Sequence, residues 1–352
     1  MITLVGVQGS SYRQPGARLL LSSDGRYEGT ISGGCLEADV LRKTSWLTRK
    51  GAALERYSTL LDETTGMPFG LGCGGIIDLL LEPVETPECQ ALLGALESSL
   101  SDREYFVVTW LPKTDRRMMR AVFPEDGKPI FASDGLSSES LVEVQAKYLH
   151  DVGPDSPETF VERIAPPQRL FVFGAGDDAK PLVTMASLLG WHVSVVDGRA
   201  HLARRERFPE ANVVTAHTST MIQQISAQDV VVLMTHSYEQ DEECLSSPLP
   251  LRPRYLGLLG SRRRSSLLIV QAAAILGWSI MECCEKISAP IGLDIGGEGP
   301  EAIALAIMAE AQACCTGKQI DARRLSVEQV HSCLADDSSK MYLQTQCGLS
   351  LA

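Results

Sequence analysis

The residues best suited to chemistry lie in segment 32–37, which reads SGGCLE. Its cysteine, Cys35, follows two glycines and begins a predicted helix. Gly33 and Gly34 let a ligand approach the backbone closely, and a helix N-terminus favours the thiolate form of a cysteine. Such a thiolate could bind a soft metal or attack sulfur, with Glu37 as base or hydrogen-bond acceptor. The alternative is a small buried residue in a tight turn.

A second thiol and two arginines could complete this site. Cys73 lies in the glycine-rich segment 70–75, where the sequence predicts a flexible loop with an exposed thiol. Arg13 and Arg18 bracket a Pro-Gly pair and could bind an anionic group that faces the first thiol. A buried cysteine and plain surface charges explain the same residues equally well.

A third candidate site is the sequence GAGDDA at residues 174–179, which follows an apolar run and precedes a helical pattern. In a dinucleotide-binding βαβ unit, Gly174 permits the tight turn and Gly176 lets the backbone approach a pyrophosphate. Asp197 ends the next apolar run, where an acid can accept a hydrogen bond from a ribose hydroxyl. This order of features predicts a Rossmann fold.

The ligand of this predicted fold stays open at this point. Asp177 and Asp178 place two negative charges where the phosphates of a dinucleotide would lie. Either these acids turn outward, or the domain has lost or changed its ligand. If a nicotinamide cofactor binds, Asp197 favours NAD over NADP, and Arg199 weakens that preference.

Two more segments reach the same predicted edge of the sheet. Ser261, Arg262 and Arg263 follow an apolar run and open a helix, so they could hold a phosphate of a cofactor or substrate. His236 follows another apolar run and could act as an acid, a base or a ligand. A solvated basic turn and a structural histidine are the respective alternatives.

The elements that must position these residues are of two kinds. The N-terminal part is predicted to be β-rich, with two helices. The C-terminal part alternates strands with helices, which implies a parallel sheet covered on both faces. The predicted strands are 2–8, 17–22, 27–31, 76–84, 105–111, 118–123 and 159–164, then 170–173, 192–196, 213–214, 230–234 and 255–259. The predicted helices are 36–50, 88–100, 180–189, 261–276, 300–315 and 326–334.

We therefore predict an α/β protein with a C-terminal Rossmann-like, doubly wound parallel sheet and a smaller N-terminal α+β domain. The N-terminal domain is expected to cover 1–150. A proline-rich linker over 151–168 would contain the short strand 159–164. The Rossmann-like domain would cover 169–317 and a polar tail 318–352.

Composition narrows the class of protein. The 352 residues suit two domains, and the net charge of −12 argues against a nucleic-acid partner. No apolar run approaches the ~18 residues of a membrane span, and the start does not read as a signal peptide, so we expect a cytoplasmic protein. The ten cysteines include no C-x-x-C pair, which disfavours a closed zinc site and indicates mostly reduced, buried thiols.

Together these segments resemble the XdhC/CoxI family. Residues 9–17, 29–37 and 70–75 are similar to its N-terminal half. Its Rossmann half is matched by 173–179, 195–199, 234–236, 255–264, 289–296 and 300–305. The sequence departs from many members at Asp177, where they carry a histidine, and it lacks a helix that relatives carry before the first strand.

The resemblance implies an accessory factor rather than an enzyme. The chain is far too short for molybdenum, Fe–S and flavin domains, and it lacks Fe–S cysteine patterns. Family membership implies that the protein binds the molybdenum cofactor, which is molybdopterin carrying Mo. It also implies support for sulfuration of the cofactor, with a cysteine desulfurase as the sulfur source. Delivery would be to a molybdenum hydroxylase such as xanthine dehydrogenase, and we expect a homodimer.

In this interpretation Cys35 contacts the molybdenum or its sulfur, with Cys73 helping. Arg13, Arg18 or the arginines at 262–264 neutralise the molybdopterin phosphate. One alternative is an NAD-dependent oxidoreductase with His236 as proton carrier. Another is an interaction protein whose Rossmann half no longer binds a nucleotide.

Overall fold

The computed structural model describes residues 1–34, 36–58, 75–101, 103–125, 127–148, 158–321, 324–329 and 332. Cys35 and Cys73 lie outside the described residues, as do residues 330, 331, 333 and 334 of the predicted helix 326–334. The chain divides into two compact units. The first covers 1–166 and is joined by the described residues from Ser326 onward, and the second covers 167–325.

The first sheet of the first unit is antiparallel, with the strand order β3-β2-β1-β5-β4. β1 is central, and its Ile2 lies opposite Leu19 on one side and Leu81 on the other. Helix α1 covers the sheet, because Leu36 and Val40 join the same buried cluster. The elements are β1 Ile2–Gln8, β2 Arg18–Leu21, β3 Tyr27–Gly29, α1 Glu37–Leu47, β4 Ala53–Ser58 and β5 Ile76–Leu81.

The second sheet of this unit has the order β8-β7-β6-β9 and is also antiparallel. Helix α2 packs on it through Cys89 and Leu92, which share a buried cluster with Val107 and Val122. The elements are α2 Pro87–Ser99, β6 Tyr105–Trp110, β7 Met119–Pro124, β8 Phe131–Ala132, α3 Ser138–Tyr148 and β9 Thr159–Ile164.

The position of β9 differs from the predicted domain boundaries. The sequence predicts residues 159–164 as a short strand inside a linker. Instead β9 pairs with β6 along its whole length, from Tyr105 opposite Ile164 to Trp110 opposite Thr159. The strand therefore belongs to the first unit, and the division between the units falls after Pro166.

A buried ion pair links β7 of the second sheet to Glu82, the residue that follows β5 of the first sheet. Arg120 on β7 donates to both carboxylate oxygens of Glu82, at 2.8 and 3.2 Å, and to the carbonyl oxygen of Glu88 at 2.8 Å. Its Nε donates to Thr109 Oγ1 on β6 at 3.0 Å. Both side chains of the ion pair are almost wholly buried. A guanidinium in this setting is tolerated only because most of its donors have partners.

The second unit is a parallel five-stranded sheet with the order β12-β11-β10-β13-β14. Buried clusters cover both faces, one through Leu182 and Ile307 and the other through Leu245 and Leu268. The strands are β10 Arg169–Phe173, β11 His192–Val196, β12 Val213–Thr215, β13 Val230–Leu233 and β14 Tyr255–Leu258. The helices are α4 Ala179–Leu188, α5 Thr218–Ile222, α6 Tyr238–Ser246, α7 Arg262–Leu276, α8 Ile280–Cys284 and α9 Pro300–Thr316. The predicted Rossmann-like fold is confirmed.

The order of these strands fixes where a ligand site can lie. The chain runs outward from β10 to β12, then returns to place β13 on the other side of β10. In such sheets the loops after the two central strands separate, and the resulting crevice is the usual ligand site. Within the described residues, none of the helices is both long and apolar enough to cross a membrane.

Removing the guanidinium of Arg120 should destabilise the first unit. In Arg120→Ala, Glu82 stays buried without its ion-pair partner, so we expect a loss of about 3–5 kcal/mol in the free energy of unfolding. Faster hydrogen exchange in peptides covering β6 and β7 would locate the effect. Arg56→Ala is the control, since Arg56 forms an exposed pair with Asp78 and its loss should change little. Equal exchange in both variants would contradict this prediction.

Candidate functional site

Two loops of the first unit meet at one end of its first sheet, and Gly75 lies against one of them. The ring of Tyr12 lies beside Gly33, 3.8 Å from the position that a Cβ atom on this glycine would occupy. Gly75 lies against the turn at Ser10, where an added Cβ would come within 2.1 Å of the carbonyl oxygen. Described parts of the segments 9–17 and 29–37, which the sequence singles out separately, therefore form one cluster with Gly75. The other residues of the segment 70–75 lie outside the described residues.

The carboxylate of Glu37 holds the loop that leads to Cys35. Its Oε1 accepts hydrogen bonds from Thr30 Oγ1 at 2.9 Å, Ile31 N at 3.2 Å and Ser32 N at 2.9 Å, and its Oε2 accepts from Ser32 Oγ. The side chain is buried. The sequence predicts Glu37 as a base or acceptor for Cys35, but at least four hydrogen bonds commit it to the backbone and side chains of residues 30–32.

We call the hydrogen bonds between Glu37 and residues 30–32 the Glu37 clamp. Ser32 extends this clamp to the start of helix α1. Its Oγ accepts from Gly34 N at 3.1 Å and from Leu36 N at 3.3 Å. Gly34 has φ +103°, a conformation that favours glycine. The residues on both sides of position 35 are thus fixed by one hydrogen-bonded unit.

Hydrogen bonding determines the charge of the Glu37 side chain. Burial raises the pKa of its carboxyl and is the largest single influence. The hydrogen bonds from Ser32, Thr30 and the backbone together outweigh burial, and the pKa lies below its usual value. The clamp is therefore a carboxylate at neutral pH.

The two N-terminal arginines differ in their environments. Arg18 forms an ion pair with Glu162 on β9 and donates to Gly16 O at 2.9 Å. It is mostly buried, and its charge is already neutralised. Arg13 is exposed in the loop beside Tyr12. Of the pair proposed to bind an anion, only Arg13 keeps an exposed guanidinium.

In the second unit, the glycine-rich turn after β10 has the predicted close packing. Gly174 has φ +126°, and a Cβ there would lie 2.3 Å from the carbonyl oxygen of Met234. A Cβ on Gly176 would lie 2.3 Å from Asp178 Oδ1. The carboxylate of Asp178 therefore covers the glycine that a pyrophosphate would have to approach.

The two acids of this turn each take a different partner. Asp177 is exposed and pairs with Arg207 at 2.9 Å and Lys180 at 2.7 Å, and these two cations lower its pKa. Asp178 Oδ2 lies 2.7 Å from Nε2 of His236, across the crevice between the loops after β10 and β13. His236 itself has a left-handed backbone, with φ +61°. Asp177 turns outward, as one alternative predicted, whereas Asp178 folds over the turn.

Asp197 is saturated by partners from its own unit. Its oxygens accept from Ala175 N at 2.8 Å, from Arg199 N at 2.9 Å, and from Arg199 Nε and Nη2 at 2.9 and 2.7 Å. These four bonds use the lone pairs that a carboxylate offers. Burial raises the pKa of Asp197, but the bonds from Arg199 and Ala175 outweigh burial and lower it overall. The predicted bond to a ribose hydroxyl would have to displace one of them.

The loops after β13 and β14 are joined by Asp241. This residue is fully buried, and it accepts from Thr235 Oγ1 at 2.6 Å and from Arg264 Nη2 at 2.6 Å. Ser261 caps helix α7 by accepting from Arg264 N at 3.3 Å. Arg262 and Arg263 are exposed beside this cap. The structure thus brings Asp197, Arg199, His236 and residues 261–263 to one edge of the sheet.

Of the six cysteines that the structure describes, three are buried, whereas the sequence indicated mostly buried thiols. Burial raises the pKa of the Cys89 and Cys244 thiols to about 12 in each case. Cys284 and Cys314 are exposed. Among the residues that the structure describes, no cluster of three or more His, Cys, Asp or Glu side chains could hold a metal ion.

Sequence reasoning did not find several partners of the candidate site residues. Arg207 donates to Ala175 O at 2.6 Å and to Asp177. It carries no sequence signal, because it lies 30 residues from Asp177 in a short 3₁₀ helix. Thr30 and Ser32 were overlooked as partners of Glu37. A signal was available, since Thr30 and Ser32 are hydroxyl residues close to Glu37 in sequence, and a buried carboxylate requires donors.

The chain therefore combines an antiparallel α+β unit with a Rossmann-type unit, and each unit carries one of the candidate site clusters just described. Residues 170–311 match the family model of the XdhC Rossmann domain, and residues 1–58 match that of the XdhC and CoxI family. The sequence is 30% identical over 322 residues to a probable xanthine dehydrogenase subunit of Bacillus subtilis (strain 168). That match covers 88% of this chain and 91% of the relative. The chain belongs to the XdhC and CoxI family, as its sequence indicated.

Two further relatives extend the comparison. The sequence is 25% identical over 310 residues to the molybdenum cofactor insertion chaperone PaoD of Escherichia coli (strain K12), covering 88% of this chain and 81% of that protein. The fold resembles a crystal structure of a xanthine dehydrogenase from Bacillus halodurans, with a TM-score of 0.76 and 29% identity. That similarity covers 94% of each chain.

The Glu37 clamp predicts a pH-dependent contribution to stability. In Glu37→Gln the single amide oxygen cannot replace two carboxylate oxygens, so we expect a loss of about 1–3 kcal/mol in the free energy of unfolding. Because the pKa of Glu37 is lowered, its contribution is present above the ordinary pKa of 4.5 and declines as the pH falls through the lowered value. Urea unfolding across this pH range would measure it. Glu28→Gln, on an exposed strand, is the control. A wild-type advantage that did not shrink in acid would be inconsistent with the clamp.

The coverage of Gly176 and the saturation of Asp197 predict weak or no NAD binding. A ligand at 100 times its dissociation constant would stabilise the protein by about 2.7 kcal/mol. We expect millimolar NAD or NADP to leave the melting temperature unchanged. A rise in melting temperature that Gly176→Val abolished would show that the dinucleotide binds at this turn after all.

Proposed function

We propose that this protein is a non-catalytic maturation factor for a xanthine dehydrogenase-type molybdenum hydroxylase. It binds the molybdenum cofactor as a cargo, supports sulfuration of that cofactor, and delivers it to the client enzyme. A cysteine desulfurase supplies the sulfur, and the factor acts in the cytoplasm as a homodimer. The names of its relatives favour this role, since one is a molybdenum cofactor insertion chaperone and another is named as part of a probable xanthine dehydrogenase.

The observation that carries the proposal is the clamp between Glu37 and residues 30–32. A buried carboxylate with at least four hydrogen bonds is a costly way to hold an ordinary surface turn. Here it fixes residues 30–32 directly, and Ser32 extends the hydrogen bonds to Gly34 and Leu36, the neighbours of position 35. A loop held in this way suits a thiol that must meet a soft metal or its sulfur without reorganising.

The cargo also carries a phosphate, and the environments of the arginines narrow its possible partners. Arg18 is neutralised by Glu162, so it is a poor candidate. Arg13 remains available near the Cys35 loop, and Arg262 and Arg263 remain available at the edge of the parallel sheet. The rival function of a nicotinamide-dependent oxidoreductase is disfavoured, because Asp178 lies over Gly176 and the carboxylate of Asp197 already accepts from Ala175 and Arg199.

A titration of the reduced full-length protein with molybdenum cofactor, under anaerobic conditions, tests the proposal. We expect binding that weakens at least about tenfold in Cys35→Ser, since a soft thiolate ligand is replaced by a poor one. Cys284→Ser is the matched control, because it removes an exposed thiol from the second unit. Wild-type affinity in Cys35→Ser would eliminate the ligand role of this cysteine. Failure of the wild-type protein to bind the cofactor would eliminate the proposed function.

A further inference from the structure

Two long helices of the second unit point their N-termini at the carboxyl edge of the parallel sheet. Helix α4 follows the glycine-rich turn after β10, and helix α7 follows Gly260 and Ser261 after β14. Free backbone N–H groups and the helix dipole make either end a potential anion site. The charged side chains beside the two helix N-termini differ: those of Arg262 and Arg263 lie at α7, whereas the carboxylate of Asp178 lies at α4.

The N-terminus of α4 is covered by an acidic side chain. Asp178 lies over Gly176, and Asp177 stands at the same turn. Asp177 turns outward to Lys180 and Arg207, so the carboxylate of Asp178 is the group that a phosphate would meet before it reached the backbone. The usual phosphate position of a Rossmann fold is therefore unfavourable in this protein.

The N-terminus of α7 is flanked by positively charged side chains. Arg262 and Arg263 are exposed, and neither side chain forms an ion pair with any residue that the structure describes. The third arginine, Arg264, is already neutralised by Asp241 at 2.6 Å. Two free positive charges thus stand at the N-terminus of a 15-residue helix.

Two buried donors beside this helix start lack partners. Ser265 is 2% exposed, and its Oγ has no hydrogen-bond partner among the described residues. The Nε of Arg264 is likewise buried without one in the part of the chain that the structure describes. Both side chains face the turn at Gly260: Ser265 Oγ and Arg264 Cδ lie 3.7 and 3.4 Å from the position of a Cβ on that glycine. Buried polar groups are rarely left unpaired in proteins, and such groups at a crevice indicate a ligand.

We propose that the turn at Gly260 and the start of α7, with Arg262, Arg263 and Ser265, form a binding site for a phosphate monoester. The phosphate position of this Rossmann unit has moved from the first strand–helix turn to the last. The site itself stands on the geometry of the second unit. Its assignment to the phosphate of the pterin cargo rests on the proposed function.

Binding of inorganic phosphate to the full-length protein, followed by ³¹P NMR at constant ionic strength, tests the site. We expect saturable binding that weakens about tenfold or more in the double variant Arg262→Ala/Arg263→Ala. Arg204→Ala removes an exposed arginine elsewhere in the same unit and should bind as wild type.

Ser265→Ala separates a ligand contact from a structural one. It should weaken phosphate binding several-fold, yet leave the melting temperature without phosphate unchanged or higher, because an unpaired buried hydroxyl is removed. Ser266→Ala is its control, since this neighbour donates to Arg262 O at 2.8 Å. The site would be refuted by an absence of saturable binding, by wild-type affinity in the double variant, or by a Ser265→Ala protein that loses stability but not affinity.

The same variants distinguish this site from the proposed function. Phosphate binding that depends on Arg262 and Arg263, in a protein that does not bind molybdenum cofactor, would leave the site intact and remove the function. Cofactor binding that is insensitive to the double variant would leave the function intact and remove the site.

Discussion

Buried carboxylates constrain this structure more than any other group. Glu37, Glu82, Asp197 and Asp241 are each almost fully removed from solvent. An uncompensated charge in such a position costs several kcal/mol, so each must be surrounded by donors. Glu37 accepts from residues 30–32, and Glu82 accepts from Arg120 on β7. The donors to Asp197 and Asp241 come from segments that follow neighbouring parallel strands. The geometry of both functional clusters follows from this requirement.

The second unit keeps a dinucleotide-binding architecture, while the acids of that architecture pair with residues of the same unit. The strand order and the close glycine turn are those of a dinucleotide-binding domain. Its acids, however, are satisfied internally: Asp178 by His236, Asp177 by Arg207 and Lys180, and Asp197 by Arg199. Architecture alone therefore says little about the ligand, and the charges at the edge say more.

Local patterns predicted most elements but few of their partners. Buried apolar runs fix the strands β10, β11 and β13, and a glycine turn between a strand and a helix fixes the start of α4. Helix α6 was missed because its sequence YEQDEECLS is acidic with few apolar positions. The pairing of β9 with β6 and the bond from Arg207 to Asp177 join residues far apart in sequence, so no local periodicity could indicate them.

The placement of β9 decides which pieces of this protein can be studied alone. β9 is the edge strand beside β6, and it follows the proline-rich stretch where a boundary would be drawn by eye. A recombinant fragment ending at residue 150 would leave the N–H and C=O groups on that side of β6 unpaired along six residues. Such an edge recruits other chains. Expression of the first unit therefore requires the chain at least through residue 166. Aggregation of shorter fragments would result from the loss of β9 from its sheet.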